Sequence, residues 1–233
     1  MWSRTVNGVR LTFHLAGINN QNFIMRDEET GTYWQQISGA AISGPLKGAQ
    51  LQPLLSDELT FSTWKAEAPH GMVFNDVPEF VSGYASKDWD VRMKKAPTVI
   101  SFNEHSLGAR DLMLGVQAFG ASRAFLLDRV LKEKLVMDRM GNEPVLLVVG
   151  PDNQSVRVFH GRISGVGGIV SFYRVTDSSA LFMDDATGSK WNFQGCAIDG
   201  KSQGKCLEQL PALKDYWFDW RNYHPQTSVY GKE

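Results

Sequence analysis

An eight-residue pattern that occurs twice constrains this chain more than any other feature. Asp27–Trp34 reads D-E-E-T-G-T-Y-W, and Asp184–Trp191 reads D-D-A-T-G-S-K-W. Each is followed by a Gly-bounded stretch, G-A-A-I-S-G-P-L-K-G-A-Q-L from Gly39 and G-C-A-I-D-G-K-S-Q-G-K-C-L from Gly195. Trp64 lies 13 residues after Leu51, and Trp220 lies 13 residues after Leu207. Pro69 aligns with Pro225, Val73 with Val229 and Phe74 with Tyr230, and from Gly39 to Phe74 the offset stays at 156 without a gap. Spacing held over so many turn and aromatic positions reads as a duplicated module.

The motif itself is hairpin chemistry. Asp27 can accept bonds from backbone N–H groups two or three residues on, and Gly31 supplies a positive φ after a type I turn. Residues 9–15 alternate apolar and polar, as a half-buried strand does. Asn19 to Asn22 form a polar turn before a strand that ends at Asp27. Gly44 to Gly48 center a second hairpin. Thr60 to Ala68 reads as a short helix capped by Thr60 and stopped by Pro69. Met72-Val73-Phe74 then reads as a closing strand. Residues 75–111 break the pattern, and their aromatics Phe80, Tyr84, Trp89 and Phe102 suggest a linker that packs. From Leu112 the chain resumes in strands, with an amphipathic helix over Leu126–Lys134 and an aromatic one over Tyr216–Tyr223.

This predicts a mainly β protein (α+β by strict count): two related antiparallel β units with short helices. The expected division is 1–74, a packed linker 75–111, and 112–233. Met1 to Val9 can be laid on Val156 to Gly165, so the first unit reads as truncated at its N-terminus. The natural protein is then expected to begin further upstream.

Net charge is −1, which gives no basic excess for nucleic acid. There is no run of 18 apolar residues to span a membrane. The His residues show no H-x-x-x-H spacing and the two Cys no C-x-x-C, so no metal site or cofactor is expected. His105, like His14 and His160, stands apart from any cluster. No nucleophile elbow or phosphate loop marks a catalytic center. Asp27 and Asp184 read as turn caps, with ligand or metal duty as the alternative. Trp34, Trp64, Trp191 and Trp220 read as core, with stacking on a sugar or flat ligand as the alternative. His70 and His224 sit at matching ends of the two copies, on opposite sides of the aligned Pro. The ligand-contact candidates are therefore Trp34, Trp191, His70, His224, Asp27 and Asp184. Cys196 and Cys206 flank a turn centered on Lys201 at five residues each way. A symmetric register sets them opposite one another, within disulfide reach. A bridge and two free thiols both remain open.

The motifs together resemble a bacterial family, domain of unknown function 3179, over essentially the whole chain. The resemblance rests on the D-x-x-T-[GE]-S-x-W hairpin, the G-x-A-x-x-G-P-L-x-G-x-x-L hairpin and the W-x-x-x-x-P-x-[ST]-x-V ending. All three occur at Asp27–Trp34, Gly39–Leu51 and Trp64–Val73, and again at Asp184–Trp191, Gly195–Leu207 and Trp220–Val229. The family implies a periplasmic or extracellular home and a C-x-L-C stretch ahead of Trp2, which this chain does not contain. It supplies no activity to transfer. Two functions are therefore carried forward. One is a non-catalytic envelope domain that binds a small ligand or a partner in the cleft between the units. The other is a thiol or metal redox protein whose reactive pair lies upstream.

Overall fold

The structure is a computed structural model, and it describes residues 1–19, 22–100, 107–175 and 180–232. Asn20, Gln21, Phe102 and His105 lie outside the described residues. The architecture is mainly β, with several antiparallel sheets and short helices.

A small hairpin, β1 (Thr5–Val6) and β2 (Val9–Arg10), precedes a four-stranded meander. The meander runs β3 (Phe13–Asn19), β4 (Asn22–Asp27), β5 (Tyr33–Gln35) and β6 (Ala41–Ser43) in chain order. Helix α1 (Phe61–Glu67) follows, with Thr60 Oγ1 accepting from the Thr63 N–H as its cap. A 3₁₀ turn over Pro78–Gly83 and helix α2 (Trp89–Lys95) occupy the next segment. Then come β7 (Leu112–Ala118), β8 (Ala121–Leu126), α3 (Leu127–Glu133), β9 (Leu135–Met140), β10 (Glu143–Val149) and β11 (Val156–His160). The second meander is β12 (Phe172–Arg174), β13 (Phe182–Asp184), β14 (Lys190–Trp191) and β15 (Ala197–Asp199), again in chain order. Strands β16 (Gln209–Leu210) and β17 (Ala212–Tyr216), helix α4 (Trp217–Tyr223) and β18 (Ser228–Val229) close the chain.

Two mixed-order sheets combine strands that precede the second meander with strands that follow it: β16-β11-β10-β9 and β17-β7-β8-β18. Their shared apolar core holds Val116, Phe125, Val136, Val145, Leu147 and Val158. β10 reads as a continuous apolar run because both of its faces are buried, one in this core and one, through Leu146 and Val148, in the core of the second meander.

The two motif copies have the same local backbone. In each meander the pairing slips at the motif Trp: Trp34 faces Ala41 and Trp191 faces Ala197, with a bulge beside each. α1 and α4 have the same length, and their C-caps Ala68 (φ −127, ψ 68) and His224 (φ −126, ψ 65) adopt one conformation.

Two expectations need correction. Residues 72–74 form no strand, and Met72, Val73 and Phe74 are exposed. The aromatics of the segment after them do not pack inward: Phe80, Tyr84 and Trp89 are 60%, 46% and 49% exposed. Pattern alone cannot supply a partner strand or a packing surface, and among the described residues Met72, Val73 and Phe74 have no partner strand and Phe80, Tyr84 and Trp89 no covering core.

Candidate functional site

Asp27 and Asp184 are fully buried. Asp27 Oδ1 accepts from the Thr30 N–H at 2.6 Å, and Oδ2 accepts from the Trp34 indole N–H at 2.7 Å. Asp184 does the same with the Thr187 N–H at 2.5 Å and the Trp191 indole at 2.9 Å. Thr30 and Thr187 hydroxyls complete each carboxylate's shell. The next hydroxyl joins the two hairpins of each meander: Thr32 Oγ1 accepts from the Leu46 N–H, and Ser189 Oγ from the Ser202 N–H. Burial pushes the Asp27 carboxyl up, but the hydrogen bonds from Trp34, Thr30 and Thr32 outweigh it and hold it below the usual range. The D-x-x-T-G-x-x-W pattern is thus a polar staple under a buried indole. Asp27, Trp34, Asp184 and Trp191 are spent on it, and none has surface left to present.

Cys196 faces Cys206 across the second hairpin and is bonded to it, with Cα atoms 4.0 Å apart. Ala40 and Gln50 face each other at the same place in the first copy.

His70 is exposed, whereas His224 lines a cleft that His70 does not reach. This cleft, of about 300 Å³, lies between the first meander and the surface formed by β7, β17 and α4. Its lining includes Trp2, Gln50, Gln52, Gln117, Trp220 and His224, and carries no Asp, Glu, Lys or Arg. Trp2 is fixed in place: its indole donates to Gln36 O at 2.6 Å, and a Cβ on Gly39 (φ +69) would come within 2.9 Å of its ring. Gly39 is therefore needed for both its backbone and its missing side chain. Gln50 donates its amide N–H to Ser38 O at 2.5 Å, which leaves its amide oxygen as an acceptor. His224 packs against Trp220 with ring centroids 3.8 Å apart and the rings tilted by 37°, and burial pushes its imidazole down, toward the neutral form.

The cleft can therefore hold a neutral polar molecule against an indole and offer it amide donors and acceptors. Sequence reasoning found His224 and named Trp220 but missed Trp2, Gln50, Gln52 and Gln117. Those residues come from distant parts of the chain, and a lone Gln carries no signal. The Gly39–Trp2 contact has a counterpart in Gly195, whose Cβ would strike Phe159.

Among the described residues no group of three or more His, Cys, Asp or Glu is placed to hold a metal ion, and no helix is long and apolar enough to cross a membrane. No curated protein and no solved structure matches this chain. A family model does, over residues 1–227, and carries the description protein of unknown function. With nearly its whole length matched, the chain belongs to that family, DUF3179.

Proposed function

We propose that this chain is an extracytoplasmic binding domain made of two related units, and that it holds a small neutral ligand in the cleft between them. The observation that carries the reading is the cleft's lining. An indole pinned on one edge, several side-chain amides and an imidazole pushed toward neutrality meet in about 300 Å³, with no charged side chain among them. That volume is at the small end of ligand pockets, which run from ~300 to ~1,000 Å³. Amides and indoles recognise and orient, and no charged side chain stands where an acid or phosphate would need one. The Cys196–Cys206 disulfide is consistent with an oxidising compartment, which supports placement outside the cytoplasm.

The test is a thermal-shift screen of neutral sugars, nucleosides and amino-acid amides, with organic acids and phosphates as the charged arm. A true ligand at a hundred times its Kd stabilises the fold by about 2.7 kcal/mol. Its shift should shrink in Gln117→Leu and in Leu213→Trp, which narrows the cleft. A screen in which only anions bind, or in which these substitutions change nothing, would sink the reading.

A further inference from the structure

The two helices that end the motif copies have the same backbone and opposite fates. α1 and α4 share length, cap conformation and the turn that follows, where Gly71 N–H bonds Ala68 O and Thr227 N–H bonds His224 O. Position by position, Phe61 corresponds to Trp217, Trp64 to Trp220, Val73 to Val229 and Phe74 to Tyr230. In the second copy β7 and β8 cover this face. Trp217 and Trp220 are 3% and 2% exposed and pack with Met113 and Ala124. Gly115 makes room for Trp220, since a Cβ there would collide with the indole. Val229 pairs in parallel with Ala124, and the Tyr230 N–H bonds Ala124 O at 2.9 Å.

In the first copy the same positions are bare. Phe61 is 65% exposed, Val73 64%, and Phe74 fully so. Trp64 is half-buried, resting on Phe61 at 5.4 Å. The opposite side of α1 is anchored, because Thr60 and Thr63 hydroxyls both donate to Asp152 Oδ2. The helix is thus held with its apolar side turned out. An apolar patch of this kind marks an interaction surface.

We propose that this face, Phe61, Trp64, Met72, Val73 and Phe74, receives an apolar β-hairpin from a partner polypeptide, laid across it as β7 and β8 lie across α4. The second copy specifies the partner's chemistry. One strand carries a glycine opposite Trp64, and its neighbour offers a free edge for parallel pairing with Val73. The chain's own β7–β8 hairpin cannot serve, because α4 and β18 already occupy it.

The test uses the full chain with a second copy of residues 107–156 fused ahead of Met1, a segment that contains β7 and β8. Hydroxyl-radical oxidation of Met72 and Phe74 is read by mass spectrometry, with the unfused chain as reference. The fused protein should oxidise at least about tenfold more slowly at both residues, the ratio that ~1.4 kcal/mol of closure produces. Phe61→Lys or Val73→Pro in the fusion should restore the reference rate. Both sites are exposed in the unfused chain, so a matching melting temperature there shows that the substitutions leave the fold intact. Equal oxidation with and without the fused segment would overturn the proposal. Protection that survives both substitutions would overturn it too.

Discussion

Asp215 sits on β17, four residues before Asp219 of α4. Its Oδ1 accepts from the Tyr216 N–H at 2.7 Å, while Oδ2 is buried with no hydrogen-bond partner among the described residues. Asp219 is engaged by the Asn22 amide. Burial, reinforced by the charge of Asp219, pushes the Asp215 carboxyl up to about 8. An unfolded Asp titrates near ~3.9. Between those values the folded chain holds a proton that the unfolded chain has lost, so this group's contribution falls as pH rises through that window. Asn at this position keeps the shape and cannot ionise. Asp215→Asn should therefore gain stability relative to the parent from pH 5 to pH 9 in urea unfolding, and a pH-independent difference would refute the assignment. Asp152 behaves the opposite way. Burial pushes it up, but hydrogen bonds from Ser155, Thr60 and Gln154 hold it far below the usual range. Its contribution is present above about pH 4 and is lost as pH falls.

At the scale of elements, one sequence motif gives one backbone and two environments. Trp220 is buried against Gly115 and donates its indole N–H to Thr227 Oγ1 at 2.9 Å. Trp220→Ala should cost about 3–5 kcal/mol, as large-to-small core changes do. Trp64→Ala should cost far less, because Trp64 lacks the covering sheet. The expectation that both indoles are core holds for Trp220 and is corrected for Trp64. Trp220 lies on β7 and β8, and Trp64 is only half-buried. Chemical denaturation of the two variants side by side checks this. The second hairpin's disulfide closes a separation of 10 residues, which chain-entropy reasoning values at up to about 3 kcal/mol. The first copy holds the same register with Ala40 and Gln50. The double variant Cys196→Ala, Cys206→Gln should accordingly fold with native circular dichroism and lose no more than that amount. Failure to fold would show that the bridge does more than staple.

At the scale of the molecule, the region around α1 is joined to the β10–β11 turn by a polar clasp. Arg157, 5% exposed at its side chain, pairs with Asp57 at 2.6 Å and Glu67 at 2.7 Å, and its guanidinium stacks on Phe193. Asp152 ties Thr60, Thr63 and Ser155 beside it. Removing the buried partner leaves two carboxylates facing each other. Both are partly exposed, so Arg157→Ala should cost less than the 3–5 kcal/mol of a fully buried broken pair, about 1–3 kcal/mol. Amide exchange should quicken over residues 57–67 and leave the second meander unchanged. Uniform loss of protection would mean the clasp supports the whole fold instead.

Local structure was legible in the sequence because it is set by contacts close along the chain. Asp27 caps a turn three residues on, Thr60 caps its own helix, and Cys196 finds Cys206 through a hairpin register. The mainly β class followed from the same short-range signals. Tertiary structure decided what covers each element, since burial depends on residues far away in sequence. Phe61 and Trp217 occupy one position in one motif, yet only the second has β7 and β8 above it. Residues 72–74 read as a strand, but a strand needs a partner edge to bond its backbone, and position 73 lacks the Ala124 that position 229 has. The cleft was illegible for the same reason: Trp2, Gln117 and His224 meet only once the chain has folded.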